Sequence, residues 1–252
     1  MMRTMKSGLM SVLDAMRDAA VNAVVPPGCL SCDAGVTRPG ALCATCWSEV
    51  RFLAPPMCQV TGIPFAYDIE ALLSAQAIAN PPPYATARAA VAYDGIPRKL
   101  VQILKFGDRT DLAPHLAAWM ARAGADMLRP DDAVIVPVPL HRARLLKRRF
   151  NQSAELARHV ARIGQRKFLP LTLTRIRSTR QQVGLGARER HENVRGAFRV
   201  GAGDEIAVAG RPVILVDDVL TTGATLEACT RALLRAGAAR VDCLTFARVL
   251  HE

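Results

Sequence analysis

The sequence lacks the long apolar runs of membrane proteins, since none reaches the roughly 18 residues that a spanning helix needs. Aromatic residues make up only 5% of the 252 residues, so stacking of nucleic-acid bases on aromatic rings would be sparse. The sequence shows no internal repeat and no low-complexity tail. With 50% hydrophobic residues, the chain is long enough for one good core and a small appendage.

Acidic residues are few relative to basic ones. The chain has 33 Lys and Arg against 22 Asp and Glu, which gives a formal net charge of +11. A surplus of this size favours polyanionic partners such as nucleic acid, acidic lipid or phosphorylated small molecules. A basic surface without a binding role is the alternative.

The first 24 residues begin with Arg3 and Lys6, as a secretory signal peptide would. Asp14, Arg17 and Asp18 interrupt the apolar stretch that such a peptide requires. The spacing of the apolar residues instead predicts an amphipathic helix that packs on the rest of the protein. A peripheral position at the inner membrane, or on a partner, is the alternative. Because nothing else indicates export, we expect a cytoplasmic protein.

Cysteines are concentrated near the start of the chain. Cys29, Cys32, Cys43 and Cys46 form two C-x2-C pairs separated by ten residues, a pattern typical of a structural Zn²⁺ site with four thiolate ligands. A zinc knuckle that depends on its metal for folding is therefore predicted over residues 25–60. Cys58 could replace one of the four ligands. Disulfides or an iron–sulfur cluster are the alternative uses of these cysteines.

From residue 87 onward, predicted strands alternate with predicted helices, which favours a parallel sheet covered by helices on both faces. Cys229 and Cys243 fall within this pattern and are expected in the core. The predicted regions are an N-terminal helix over residues 1–24, the knuckle over 25–60, a proline-rich connector over 61–86 and an α/β domain over 87–252. The predicted strands cover residues 87–93, 134–136, 197–200, 213–216 and 239–247, and the predicted helices cover 47–53, 68–79, 96–106, 112–123, 151–163 and 224–236.

A candidate ligand site follows the apolar strand at residues 213–216. Asp217 and Asp218 come directly after this strand, and the sequence Thr-Thr-Gly-Ala-Thr at 221–225 leads into a helix. Gly223 lets the backbone approach a ligand closely, and the free N–H groups of the helix start attract a phosphate. The two carboxylates can accept hydrogen bonds from ribose hydroxyls. A threonine-capped turn without a ligand is the alternative, although two acidic residues at the end of a buried strand are then costly.

This loop resembles the one that binds phosphoribosyl pyrophosphate (PRPP) in type I phosphoribosyltransferases. No Lys follows Gly223, which distinguishes the loop from a Walker A motif. The resemblance implies that Mg²⁺ accompanies PRPP and bridges its pyrophosphate and ribose oxygens. The PRPP-binding residues it implies are Asp217, Asp218, Thr221, Thr222, Gly223, Ala224 and Thr225.

Basic residues are expected at the same edge of the sheet. Pro139, His141 and Arg142 follow the strand at 134–136, precede a run of Arg and Lys, and are candidates for holding a pyrophosphate. The solvated start of a basic helix is the alternative. Lys105, at the end of the helix predicted over 96–106, is a further candidate, or a solvated lysine that favours a helix C-terminus.

A long polar segment with two glycines covers residues 178–190. It is predicted to be a mobile lid that closes over a phosphorylated ligand, and a surface loop without that role is the alternative. The candidate contact residues of the lid are Arg180, Gln181, Arg188 and Arg190.

Taken in order, these segments resemble the ComF family of competence proteins, also called GntX-like phosphoribosyltransferase-fold proteins. The family often carries a third C-x2-C motif, of which this chain keeps only Cys58. After the cysteine knuckle, the resemblance is carried by L-K-F-G-D at 104–108, P-V-P-L-H-R at 137–142, R-R-F-N-Q at 148–152, Q-Q-V-G-L at 181–185, R-x-x-N-V-R-G-A-F at 190–198 and V-D-D-V-L-T-T-G-A-T at 216–225.

The resemblance implies a parallel-sheet α/β domain of the type I phosphoribosyltransferase kind with a small N-terminal zinc knuckle of four cysteines. It also implies a cytoplasmic role in the import of single-stranded DNA during natural transformation, with electrostatic DNA binding and DNA-uptake proteins as partners. Alternatives are phosphoribosyl transfer to a nitrogen acceptor and a GntX-like role in iron–sulfur or gluconate metabolism. Thr221 stands where enzymes that salvage oxopurines typically have an Asp base, so that reaction is not expected.

Overall fold

A computed structural model describes residues 27–66, 72–107, 109–142, 145, 148, 150–177 and 186–250, without the side chains of residues 187 and 188. The chain falls into two compact units, Met1–Glu49 and Val50–Glu252. This division comes earlier than residue 60, where the knuckle was predicted to end. The helix predicted over residues 1–24 lies outside the described residues, as do Asp108, Arg180 and Gln181.

Helices and strands are numbered in chain order. The helices are α1 Ala44–Ser48, α2 Ala75–Ala79, α3 Gly95–Phe106, α4 Ala113–Ala123, α5 Gln152–Gly164, α6 Ala187–Val194, α7 Glu205–Val208 and α8 Ala224–Arg235. The strands are β1 Thr86–Ala92, β2 Val134–Pro137, β3 Lys167–Phe168, β4 Leu173–Arg175, β5 Phe198–Val200, β6 Pro212–Leu220 and β7 Arg240–Arg248. None of the described helices is both long and apolar enough to cross a bilayer.

The second unit is built on a five-stranded parallel sheet with the strand order β1-β7-β6-β2-β3. Its central strand β6 is almost continuously apolar because strands of such sheets are covered on both faces, and Val213, Ile214 and Leu215 are at most 1% exposed. Strands β4 and β5 form a separate antiparallel pair. The predicted parallel-sheet α/β fold is confirmed.

Helices cover this sheet on both faces. Cys243 of β7 lies in the same buried cluster as Cys229 of α8, so the core position predicted for these two cysteines is confirmed. Because successive strand residues point to opposite faces, Phe246 points to the other side. There its ring stacks on Trp119 of α4 with the ring centroids 5.9 Å apart.

Most predicted elements are found within a few residues of their predicted bounds, but three differ. The helix predicted over 47–53 is wrong: α1 ends at Ser48, and Leu53 N–H donates to Ala90 O because this segment lies along the edge strand β1. Of the helix predicted over 68–79, only Ala75–Ala79 is helical among the described residues, since Ser74 caps its start. The strand predicted over 213–216 continues to Leu220.

Candidate functional site

A cleft of about 470 Å³ opens at the carboxyl end of β6, which is where parallel sheets usually bind their ligands. Six of the seven residues predicted to bind PRPP line it, and Lys105 and Arg190 join them from α3 and α6. The six are Asp217, Asp218, Thr221, Gly223, Ala224 and Thr225. Residues that are distant in the sequence therefore meet at the predicted edge of the sheet.

The acidic pair lies within β6 rather than after it, because Asp217 still pairs with Thr245 of β7. Ser153 Oγ donates to Asp217 Oδ1 at 2.7 Å, and the N–H of Asp218 donates to the same oxygen at 2.9 Å. Ser153, in the first turn of α5, is not predicted from the sequence. A polar residue just after the Asn151 cap of a helix beside β6 is the available signal.

Asp218 has a different partner. The Nζ atom of Lys105 lies 2.9 Å from Asp218 Oδ2, and both side chains are mostly buried. Burial by itself would lower the pKa of Lys105, but the charge and hydrogen bond of Asp218 outweigh it, so the pKa is raised and the ammonium persists. Lys105 is therefore part of the site and is not a solvated residue at a helix end.

The hydrogen bonds described above for Asp217 come from a hydroxyl and a backbone N–H group, and not from a cation such as Lys105. Burial raises the pKa of Asp217 most, the charge of Asp218 adds to this, and the hydrogen bond from Ser153 only partly opposes them, which brings the pKa to about 7. Near neutral pH, this carboxyl group is therefore easily converted between its acid and its carboxylate. A cation or several hydrogen-bond donors in the cleft would favour the carboxylate.

The turn after β6 has the features that a phosphate requires. Gly223 adopts φ 85 at the N-cap of α8, a left-handed conformation that favours glycine. The Oγ1 atom of Thr222 is buried and has no hydrogen-bond partner in the described part of the chain. Such an orphaned hydroxyl fits a bound acceptor such as a phosphate oxygen.

The basic loop after β2 lies next to β6, since Val138 N–H donates to Val216 O. Pro139 is buried, His141 is half-buried and Arg142 is exposed, and none of the three is among the described residues that line the cleft. Their predicted role in binding a pyrophosphate stays a prediction.

The segment predicted to be a mobile lid is helical at residues 187–190, and its role as a lid stays a prediction. Helix α6 begins there because its residues favour a helix and because the Glu189 carboxylate accepts the Gly186 N–H at 2.7 Å. His191 of α6 contacts Glu227 of α8 at 3.5 Å, so α6 lies beside α8, and Arg190 of α6 borders the cleft. The Arg188 side chain and the rest of the lid lie outside the described residues.

The four N-terminal cysteines come together in the first unit. The sulfur atoms of Cys29, Cys32, Cys43 and Cys46 all lie within 4.8 Å of one another. Cys43 stands at the N-cap of α1 and Cys46 lies inside this short helix, so both sulfurs are held by its first turns. The sequence prediction of a four-cysteine cluster is confirmed, and the group does not include Cys58.

The electrostatics of this cluster fit a divalent cation. Burial raises the pKa of Cys46 most, and the neighbouring sulfurs add to it, so the pKa reaches about 12. Burial would also raise the pKa of Cys29, but hydrogen bonds from the backbone N–H groups of Cys43 and Ser31 outweigh burial and lower this pKa to about 6. Four thiolates this close repel one another unless a cation neutralises them, and four tetrahedral sulfur ligands suit structural Zn²⁺.

The raised pKa of Asp217 predicts a measurable pH dependence of stability. The folded protein binds this proton more tightly than the unfolded chain does, so the free energy of unfolding falls as the pH rises from about 4 to about 7. Asp217→Asn keeps an oxygen for Ser153 but removes the ionisation. Between pH about 5 and about 8 the wild type should therefore lose stability that the variant keeps. In urea titrations, we expect the free energy of unfolding of the variant minus that of the wild type to rise by more than about 1 kcal/mol over this range.

The matched control is Asp132→Asn, which removes an exposed carboxylate outside the cleft. Its stability relative to the wild type should be nearly constant over the same pH range. Parallel curves for the wild type and Asp217→Asn would show that the buried carboxyl group titrates normally.

Comparison with known proteins agrees with this geometry. Residues 151–252 match the phosphoribosyl transferase domain family, and residues 20–78 match the double zinc ribbon domain family. The chain is 34% identical over 215 residues to the DNA utilization protein YhgH of Salmonella typhimurium and 32% identical to that of Escherichia coli K12, with 83% of this chain and 91% of each relative covered.

A third relative is the competence protein F of Haemophilus influenzae, which is 31% identical over 153 residues, or 59% of this chain and 66% of that protein. The sheet, the acidic cleft and the four-cysteine cluster thus occur together in a sequence that aligns with YhgH over most of its length. The chain belongs to the ComF-like family, with a zinc ribbon in front of a phosphoribosyltransferase domain.

Proposed function

We propose that the cleft binds PRPP and that the protein, in its ComF-like role, binds single-stranded DNA and assists the import of transforming DNA in the cytoplasm. The observation that carries the PRPP part is the meeting of the acidic pair with the turn at residues 221–225 in one cleft. The DNA part is supported by the net charge of +11 and by relatives named for DNA utilization and competence.

The 5′-phosphate of PRPP would bind at the N-terminus of α8. The N–H groups there point outward and the helix dipole favours an anion, while Gly223 leaves room for close approach. The buried hydroxyl of Thr222 would gain the hydrogen-bond partner that it lacks among the described residues. The ribose hydroxyls would then donate to Asp217 and Asp218.

The pyrophosphate end would face the basic groups of the cleft. Lys105 lies 2.9 Å from Asp218, and Arg190 borders the same cavity from α6. The Mg²⁺ that accompanies PRPP would supply further neutralising charge between its oxygens. Donation by the ribose hydroxyls would take over part of the role that Lys105 plays for Asp218 and free the ammonium group for the pyrophosphate.

Phosphoribosyl transfer to a nitrogen acceptor is the second candidate function. Lys105 and Arg190 favour it because cations at this position would stabilise a departing pyrophosphate. In that reaction a bond forms between the acceptor nitrogen and C1′ of the ribose, the bond from C1′ to the pyrophosphate oxygen breaks, and the nitrogen loses its proton. Thr221 lines the cleft where a general base would be needed, and a hydroxyl is a poor base near neutral pH. This favours binding over turnover.

Gly223→Ala tests the PRPP site. Alanine in the left-handed conformation costs about 1 kcal/mol and pushes a methyl group into the turn, so we expect at least a tenfold loss of PRPP affinity in calorimetric titrations with Mg²⁺. Gly203→Ala is the matched control, since Gly203 has φ 88 and lies in an exposed loop, where an added methyl group would meet open space. Equal PRPP affinity in the two variants would contradict the proposed site.

The same samples separate binding from catalysis. Incubation with PRPP, Mg²⁺ and candidate nitrogen acceptors should release no acceptor-dependent pyrophosphate if the site only binds. Release that requires both an acceptor and Asp218 would establish transferase activity instead.

Binding of single-stranded DNA should be electrostatic and tolerant of sequence. Each neutralised phosphate contributes a slope of about −0.7 to a plot of log K against log salt concentration, so affinity for a labelled oligonucleotide should fall steeply between about 50 and 200 mM salt. Fluorescence anisotropy with oligonucleotides of different base composition measures this. An affinity that hardly changes with salt would exclude the electrostatic mode.

The biological role can be measured in a naturally transformable host whose own ComF-like gene is replaced by this one. Asp218→Asn should lower the transformation frequency at least tenfold, because it removes the charge that holds Lys105 and that would receive the ribose. Gly203→Ala serves as the control for expression. If the Asp218→Asn strain transformed at the wild-type frequency with an equal protein level, the PRPP cleft would not be required for DNA uptake.

A further inference from the structure

The four-cysteine cluster is built on a characteristic tight turn. Cys29 N–H donates to Ala34 O at 2.7 Å, and Asp33 N–H donates back to Cys29 O at 3.2 Å. Asp33 adopts φ 59, and Gly28 and Gly35 form an antiparallel bridge around the turn. The hydrogen bonds thus join residues five and four positions apart, and the bridge joins residues seven apart.

The same turn occurs a second time, in the second unit. Cys58 N–H donates to Ile63 O, and Gly62 N–H donates back to Cys58 O, both at 2.8 Å. Gly62 adopts φ 67, and Met57 and Pro64 form the antiparallel bridge. Every offset is identical to that of the first turn, which corrects the expectation that the chain has no internal repeat.

The second halves of the two segments also correspond. Cys43 N–H donates to Cys29 Sγ at 3.3 Å, and Cys43 is the N-cap of the five-residue helix α1. In the second segment, Ser74 N–H donates to Cys58 Sγ at 3.3 Å, and Ser74 is the N-cap of the five-residue helix α2. The backbone around each first cysteine is therefore built in the same way.

This correspondence assigns a counterpart to each zinc ligand. In both segments, two residues separate the two positions of each pair. The stretch between the pairs is ten residues long in the first segment and twelve in the second, where residues 67–71 lie outside the described part. Cys29, Cys32, Cys43 and Cys46 correspond to Cys58, Thr61, Ser74 and Ala77. Only one of the four positions still carries a metal ligand.

We infer that residues 57–66 and 72–79 belong to a second zinc ribbon that folds without a metal ion. The match to the double zinc ribbon family over residues 20–78 spans both segments, so the repeat belongs to the architecture and not to one chance turn. With thiol, hydroxyl, hydroxyl and methyl groups at the four positions, the second copy no longer offers the thiolate set that Zn²⁺ requires.

Hydrogen bonds to Cys58 and Ser74 replace the metal in part, whereas the Oγ1 atom of Thr61 is buried and has no hydrogen-bond partner among the described residues. The sulfur of Cys58 is fully buried and accepts the N–H groups of Thr61 at 3.4 Å and Ser74 at 3.3 Å. The Oγ atom of Ser74 accepts Ala77 N–H at 3.3 Å, so the fourth position is tied to the third by a helix cap. Burial would raise the pKa of Cys58, but the hydrogen bonds from Ser74 and Thr61 lower it to about 6, so one thiolate is stable here without a cation.

The sheet provides the rest of the support. Ala87 N–H of β1 donates to Val60 O at 2.7 Å, and the Arg248 guanidinium at the end of β7 donates to Thr61 O. A Cβ atom on Gly62 would lie 2.3 Å from Ala87 O, so the turn rests directly on the edge strand. The second copy is therefore fixed by contacts with a large unit and does not depend on a metal for its folding.

Metal stoichiometry tests this inference on the full chain. We expect one zinc per chain by plasma mass spectrometry, with complete loss in Cys29→Ser and full retention in Cys58→Ser. The triple variant Thr61→Cys, Ser74→Cys, Ala77→Cys should bind two zinc ions, because it restores the four thiolates on the same backbone. Two zinc ions in the wild type, loss of zinc in Cys58→Ser, or one zinc in a folded triple variant would overturn the inference.

Hydrogen exchange gives a readout that does not depend on the folding of the triple variant. After chelation of the wild type, amide protection should be lost over residues 28–46 and kept at Cys58, Gly62 and Ala87, whose N–H groups are donors in the second turn and on β1. Loss of protection in both segments at the same chelator concentration would show that the second ribbon also holds a metal.

Discussion

The position of strand β6 between β2 and β7 determines the arrangement of the cleft. Its apolar half is buried and paired on both sides, so its carboxyl end has one fixed place at the edge of the sheet. Because β7 continues alongside it, the strand stays extended through the acidic pair, and neighbouring residues point to opposite faces. Asp217 thus meets Ser153 of α5, whereas Asp218 meets Lys105 of α3.

This separation explains why the two adjacent carboxyl groups have different surroundings. Lys105 neutralises Asp218 at 2.9 Å, but Asp217 shares only hydrogen bonds and feels the charge of its neighbour, so its pKa rises to about 7. Together the pair carries less negative charge than two free aspartates would, which lowers the cost of burying it. A ligand that brings hydroxyl donors and a divalent cation would favour ionisation of Asp217, so binding and proton release would be coupled.

The sequence predicts this site well where the chemistry is local and less well where it depends on packing. The turn at residues 221–225 is contiguous, so its glycine conformation and helix start are predictable from spacing alone. Ser153 reaches Asp217 across 64 positions, and no short pattern announces that contact. Helix α6 has Ala187 and Val194 as its only apolar residues and therefore no apolar stripe, which is why the sequence places Arg190 in a loop although it borders the cleft from a helix.

The two ribbons show when a metal is needed to hold a turn. The first copy lies within residues 27–49 of the first unit, where Leu30 is the only buried hydrophobic residue besides Cys29 and Cys46, so a metal supplies the stability that a core would otherwise give. The second copy has the same backbone but rests on β1, where Gly62 and Ala87 are in direct contact. Since the sheet already fixes that turn, cysteines at the other three positions would add little stability. Loss of the cysteines at residues 29–46 would instead remove the metal ion that stabilises the first copy. In the sequence only Cys58 points to this relation, because the other three positions carry Thr61, Ser74 and Ala77, whereas the hydrogen bonds of the two copies correspond.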